Sequence, residues 1–231
     1  MSKQQRLEHK DALRQKFYAQ GYSGRRHLIV TLVLLGLFTT CPLWFVKSPN
    51  LLELAIVPAS FLFANLVEYI LHRGPMHHKM RYLELIFEHV TIHHVFFPSE
   101  GVYAEEPADY KFLLLPPPIF IGLTVIVVGG IGVLLAVGFS LNAALLYGAT
   151  GFGYYLTYEL LHFSYHQDER SWVGNLPGIN KLRNHHVIHH DLELMGNCNF
   201  NITFPIFDKI LGTCATAAEE DIARRNRISV Q

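Results

Sequence analysis

Histidine is the residue type that stands out. The chain has fourteen histidines in 231 residues. Twelve of them fall in three short windows. The first holds His72, His77 and His78, then His89, His93 and His94; the second holds His162 and His166; the third holds His185, His186, His189 and His190. Neutral imidazole is the commonest protein metal ligand, and residues three or four apart share one face of a helix. His89 and His93 meet that spacing, as do His162 and His166, and His186 with His189 and His190. His72 and His77 are five apart, but Gly74 and Pro75 between them should end a helix and let the chain turn back. Packed imidazoles without partners would need many polar neighbours and would repel one another once protonated, so a metal site is the better reading. Spacing leaves the metal open, since imidazole suits iron, copper, nickel and zinc. His9 and His27 lie outside the windows and read as surface or interfacial residues.

The elements that must position these windows are apolar. Half of the chain is hydrophobic and 16% is charged, against about a quarter in an ordinary soluble domain. Four runs are long enough to cross a bilayer, which takes about 20 residues. They cover about 28–46, 51–71, 119–139 and 141–161, with very short links within each pair, so they read as two helical hairpins. The third follows the triple proline Pro116-Pro117-Pro118. Lys47 is the one Lys or Arg on the far side of the hairpins; the other eighteen of nineteen fall on one face, a positive-inside signal that places both termini and the windows in the cytoplasm. Two spans separate the first window from the second and none separates the second from the third. An even number returns the chain to the same face, so all three windows reach one membrane boundary.

The histidine sets His72–His77, His89–His93–His94, His162–His166 and His186–His189–His190 resemble those of the fatty acid hydroxylase / sterol desaturase superfamily of membrane di-iron oxygenases. Glu68-Tyr69-Ile70-Leu71-His72-Arg73 is similar to the span-end motif of the fatty acid hydroxylase branch, and Phe207-Asp208-Lys209-Ile210-Leu211-Gly212-Thr213 to the C-terminal element of the superfamily. The resemblance covers about residues 55–214. Two features depart from it: three residues rather than two separate His89 from His93, and Asn199-Phe200-Asn201 leans toward the sterol branch.

The resemblance implies an all-α integral membrane protein of four transmembrane helices, with a cytoplasmic helical cap holding a dimetal site. It divides the chain into an N-terminal segment 1–26, a hydroxylase-like membrane domain 27–214 and a charged tail 215–231. It implies that His72, His77, His89, His93, His94, His162, His166, His186, His189 and His190 hold two iron ions, with zinc an alternative occupant in purified form; His78 and His185 stand as alternative ligands. Glu68, four residues before His72, and Glu159, three before His162, are expected as carboxylates that fix ligand tautomers. Asp191 reads as solvated. The implied reaction is O2-dependent hydroxylation of a lipid C–H bond, most naturally on a fatty acyl chain drawn from the membrane, with a sterol or carotenoid substrate, hydroxylated or desaturated, as the alternative. No nucleotide-binding glycine loop occurs, so electrons are expected from a separate redox protein. Tyr147, Tyr154, Tyr155 and Tyr158, with Gly148, Gly151 and Gly153, are candidates to line a lipid tunnel, helix packing being the stronger reading of the glycines.

Other classes fare worse. Nineteen basic residues balance nineteen acidic ones, which removes the electrostatic case for nucleic-acid binding. Three cysteines without CxxC spacing argue against a disulfide scaffold or a thiolate site. Haem in a membrane cytochrome needs single axial histidines on facing spans, and a non-catalytic metal carrier favours ionisable groups near mid-membrane; neither pattern occurs. The first twenty residues and the last dozen read as a polar surface helix and a solvated tail, both mobile. Asn201-Ile202-Thr203, a formal glycosylation sequon, reads as accidental on a cytoplasmic segment.

Overall fold

The computed structural model describes residues 3–18 and 21–228, so the outer ends of the expected N-terminal segment and charged tail lie outside the described residues. Among the described residues all regular structure is helical. In chain order the helices are α1 (Lys3–Phe17), α2 (Gly24–Thr40), α3 (Leu51–Leu71), α4 (Glu84–Phe96), α5 (Tyr110–Leu113), α6 (Pro117–Leu123), α7 (Gly130–Gly138), α8 (Leu141–Tyr165), α9 (Ile179–His189), α10 (Ile206–Ile210) and α11 (Ala217–Ile228).

Three helical stretches are long and apolar enough to cross a membrane: Gly24–Phe45, Leu51–Met76 and Pro107–Gly138. Their large apolar side chains face outward. Ile29 is 60% exposed, Leu52 71% and Val137 85%, as expected of surface that meets lipid rather than water. α2 begins four residues before the apolar run because the Ser23 hydroxyl accepts from the Arg26 amide, and capping chemistry sets a helix start. α3 opens on a reciprocal cap between Asn50 and Glu53, and Glu53 also accepts from Ser140 Oγ at 2.6 Å. Asn142 pairs with the backbone of Lys47. The two hairpin turns are thereby tied together at one end of the bundle.

α8, where a fourth crossing is expected, forms as one 25-residue helix but stands outside the set long and apolar enough to cross. Its glycines, tyrosines, Asn142, Glu159 and His162 dilute its apolar character. The reason is its place in the fold: it packs against α2, α3 and α7 and buries Leu146, Tyr147, Phe152 and Tyr154, so its neighbours are protein. It runs four residues past the expected end, which puts His162 within the helix.

Two wide π turns shape the site. One, His72–Met76, continues α3 through Gly74 and Pro75 rather than breaking it. A turn closed by bonds five residues apart brings His72 and His77 together, with ring centroids 5.0 Å apart. The other, Thr124–Gly129, joins α6 to α7, and the Tyr147 hydroxyl donates to the Val127 carbonyl it exposes.

Among the described residues, α1 and α11 depart from the expectation of mobility. α1 is docked: Lys10 is buried, and Arg14 grips Asp109 with two arms at 2.9 and 2.8 Å. The tail forms α11, whose Ala223 is fully buried beside Ile188, Leu194 and Cys198. Sequence charge alone did not reveal the partners that hold either end.

Candidate metal centre

Imidazoles from the π turn that continues α3, and from α4, α8 and α9 with the residues that cap them, converge in two groups. His93, His162, His166, His186 and His190 form one, all buried; His72, His77, His94 and His189 form the other, with His77 half-buried. Within each group one ring nitrogen per residue lies within 4.8 Å of the others. In the first group the Nε2 atoms of His93 and His190 are 3.1 Å apart, those of His162 and His93 3.2 Å, and those of His190 and His186 2.9 Å. In the second, His77 and His189 meet at 3.1 Å. Two imidazoles bound to one metal at about 2.0–2.1 Å and at right angles stand about 3 Å apart, so these separations fit ligands facing a common ion.

Ring orientation comes from backbone carbonyls. Nδ1–H of His93 donates to Phe112 O at 2.8 Å, that of His166 to Val102 O at 2.6 Å, and that of His190 to Phe97 O at 2.5 Å. His72 donates to Phe200 O at 2.5 Å and His189 to Cys198 O at 2.8 Å. Each such bond leaves the Nε2 lone pair facing inward, as metal-bound histidines require. Burial pushes His77 and His166 down to about 3 and holds His93, His94, His186, His189 and His190 well below the usual imidazole value. They are therefore neutral at pH 7. The Nδ1 atoms of His94, His162 and His186 are buried with no hydrogen-bond partner among the described residues. An all-imidazole donor set of five and four, neutral and convergent, fits two transition-metal ions.

Nine of the ten expected ligands are thus brought together, and His89 is not. It sits one turn before His93 on α4, partly buried, and lines a small void beside both groups instead. On the arc three and four residues before His93 and His94 stands Val90. His185, one of the two alternative ligands, pairs with Asp208 at 3.2 Å. The other, His78, is exposed and bonds the Arg73 carbonyl.

The carboxylates work differently from expectation. Glu68 accepts from the Ile202 and Thr203 amides and from the Tyr154 and Thr203 hydroxyls, so it secures the loop that carries Phe200 rather than an imidazole. Glu159 is buried against the Tyr155 hydroxyl and the Leu115 amide, and its Oε1 has no hydrogen-bond partner among the described residues. Asp191, expected in solvent, is buried and accepts from Asn226 at 2.9 Å. Asp208 is fully buried and receives the Phe200 and Asn201 amides and the Thr213 hydroxyl at 2.7–2.9 Å.

Asn65, Asn199, Asn201 and Thr203 also belong to the frame of the site, although no spacing pattern marks them. Asn65 donates to Tyr154 OH and Phe204 O, and Asn201 to Asn65 O. Asn201 is fully buried, so its side chain is structural. The clustering of small polar residues between His190 and Asp208 was the available signal.

Below the imidazoles lies an apolar cavity, about 870 Å³ including its open mouth. It runs from Ser60, Phe63 and Tyr147 to His72 and shares His72, Met76, Leu115, Tyr158 and Ile202 with the smaller void under the two groups. All four expected tyrosines line it, and so does Gly151. Gly148 faces Val128 and Gly153 faces Thr39, which makes both helix-packing residues.

The family model described as fatty acid hydroxylase matches residues 57–213, over half of the chain. The fold is similar to that of full-length scs7p, of which only the hydroxylase domain is visible. The TM-score is 0.53 and the identity 22%, over 81% of this chain and 65% of that one. This chain therefore spans just under two thirds of scs7p, and at that identity the likeness concerns the fold. No curated protein matches the chain.

Proposed function

The chain belongs to the fatty acid hydroxylase family, and on that premise we propose that it is a membrane-embedded di-iron oxygenase that hydroxylates a C–H bond of a lipid acyl chain. The observation that carries this reading is that the apolar cavity abuts the void under both imidazole groups, the two sharing five lining residues. A chain lying along Phe63, Val67 and Leu71 would present one carbon near His72. Met76, Leu115 and Ile202, which line both spaces, would keep water from the reacting carbon.

The nine grouped histidines are the proposed ligands, with His89 a neighbour of the reaction space. Two irons, with O2, two electrons from a separate redox protein and two protons, would supply the oxidising power that replaces C–H by C–OH, the second oxygen atom leaving as water. The chain's own part is to fix the imidazoles through backbone carbonyls, to orient the lipid and to exclude water. In the membrane, α8 is proposed as a fourth crossing within the bundle, with both termini and the metal centre on the cytoplasmic side.

Lipid profiling of cells with and without the protein tests the reading. The expected product is an acyl lipid heavier by one oxygen, and Ala64→Trp, which fills the cavity wall, should cut its yield about 10-fold or more with metal content unchanged. Absence of any such product, or full activity in the plugged variant, counts against it. A sterol or carotenoid carrying the extra oxygen would overturn the acyl assignment while leaving the chemistry.

A further inference from the structure

The carbonyls that orient the two imidazole groups come from two different pieces of chain. Phe97, Val102 and Phe112 orient His190, His166 and His93, three of the five-imidazole group. Cys198 and Phe200 orient His189 and His72 of the four-imidazole group. The second piece is held by Glu68 on α3 and, within itself, by Asn201 and Asp208.

The first piece bonds the His190 and His166 carbonyls through the Ser99 and Ala104 amides, and from its other side it is held by α1. Lys10 Nζ donates to the carbonyls of Gly101 and Tyr103, on either side of Val102, at 3.2 and 3.5 Å, and to Glu105 at 3.1 Å. It lies over the Phe96 and Phe97 rings. Arg14 grips Asp109 with two arms and also reaches Glu105. Asp109 in turn receives the Glu105 and Glu106 amides, and the Tyr18 hydroxyl at 2.5 Å. The Tyr18 ring stacks on Phe112, whose carbonyl orients His93.

Resting on the reading that the nine histidines hold two metals, we propose that Lys10 and Arg14 are positioning residues for one of them: α1 clamps the carbonyl frame of the five-imidazole half and leaves the other half alone. A carbonyl frame that is free to move lets its imidazoles rotate off the ion. Loss of groups that orient metal-bound histidines weakens binding about 10–100-fold.

The test uses the full-length protein in detergent with zinc as the probe, read by stoichiometry and affinity and not by turnover. Wild type should hold two zinc ions. Lys10→Ala/Arg14→Ala should keep one at unchanged affinity and hold the other at least 10-fold more weakly. At a zinc concentration that fills only the tight site, adding His162→Ala should leave one ion and adding His189→Ala should leave none, since the two lesions then fall in different halves. Retention of both ions at wild-type affinity, equal weakening of both, or the reverse pairing with the histidine variants would overturn the proposal. If the double variant lacks the wild-type helical circular dichroism, Arg14→Lys carries the same comparison, because it keeps the charge and loses the two-armed grip. A wild-type protein that holds fewer than two ions would refute the dimetal reading instead.

Discussion

At the scale of single residues, the centre turns on which ring nitrogen carries the proton. Five imidazoles give Nδ1–H to a main-chain carbonyl, and main-chain acceptors cannot titrate away. His189 and His89 then make a contrasting pair. His189→Ala should lower bound metal by one ion per chain and abolish product, because it opens a ligand position and frees the Cys198 carbonyl. His89→Ala should retain both ions. Metal analysis of the two purified variants decides the matter, and a His89 variant that loses an ion would return that residue to the ligand set. Acid behaviour follows from the same burial. These imidazoles hold protons less readily folded than unfolded, so between their lowered values and the unfolded value near 6.5 the unfolded chain binds more protons. The metal-free protein should therefore lose stability as pH falls below about 6.5, seen as a lower melting temperature at pH 5 than at pH 7.

At the scale of elements, α8 does most of the positioning. It lines the cavity with four tyrosines on one side and lets α2 approach closely at Gly153. A Cβ there would stand 3.3 Å from Thr39 Cγ2. Gly153→Leu should overpack that crossing and cost about 1–3 kcal/mol. Gly132→Ala on α7, with nothing within 4 Å of the added carbon, should be neutral or stabilising by up to about 1 kcal/mol, since it replaces glycine within a helix. Thermal unfolding in detergent distinguishes the two, and equal effects would remove the close-approach argument. The π turn at His72–Met76 is the other decisive element. An α-helix that simply stopped at Gly74 would leave the approach of His77 to a flexible loop, whereas the widened turn presents both rings from one rigid element.

At the scale of the whole molecule, the apolar helices and the imidazole cap occupy opposite ends. The hairpin turns are tied near Glu53 and Ser140, and the metal-binding ends of α3 and α8 lie at the other end. Tags placed at residues 100 and 225 should report the same side of the membrane. Ser99 bonds the His190 carbonyl, and Asn226 bonds Asp191 next to it, so opposite sides would contradict both the topology and the shared site.

Much of this was legible in the residues themselves. The three windows, their three- and four-residue spacings and the even number of apolar runs between them are local properties of the chain, and they point to ten imidazoles at one place, of which nine converge in two groups. Helical periodicity needs only neighbours along the chain, so the gathering of imidazoles at the ends of apolar helices is readable from residue order. The tertiary structure alone decided which ring joins which half, why His89 and His185 stand apart, and how α1 is held. Those outcomes depend on acceptors as distant as Phe200 is from His72, 128 residues away, and no spacing rule can rank partners that meet only after the helices have packed.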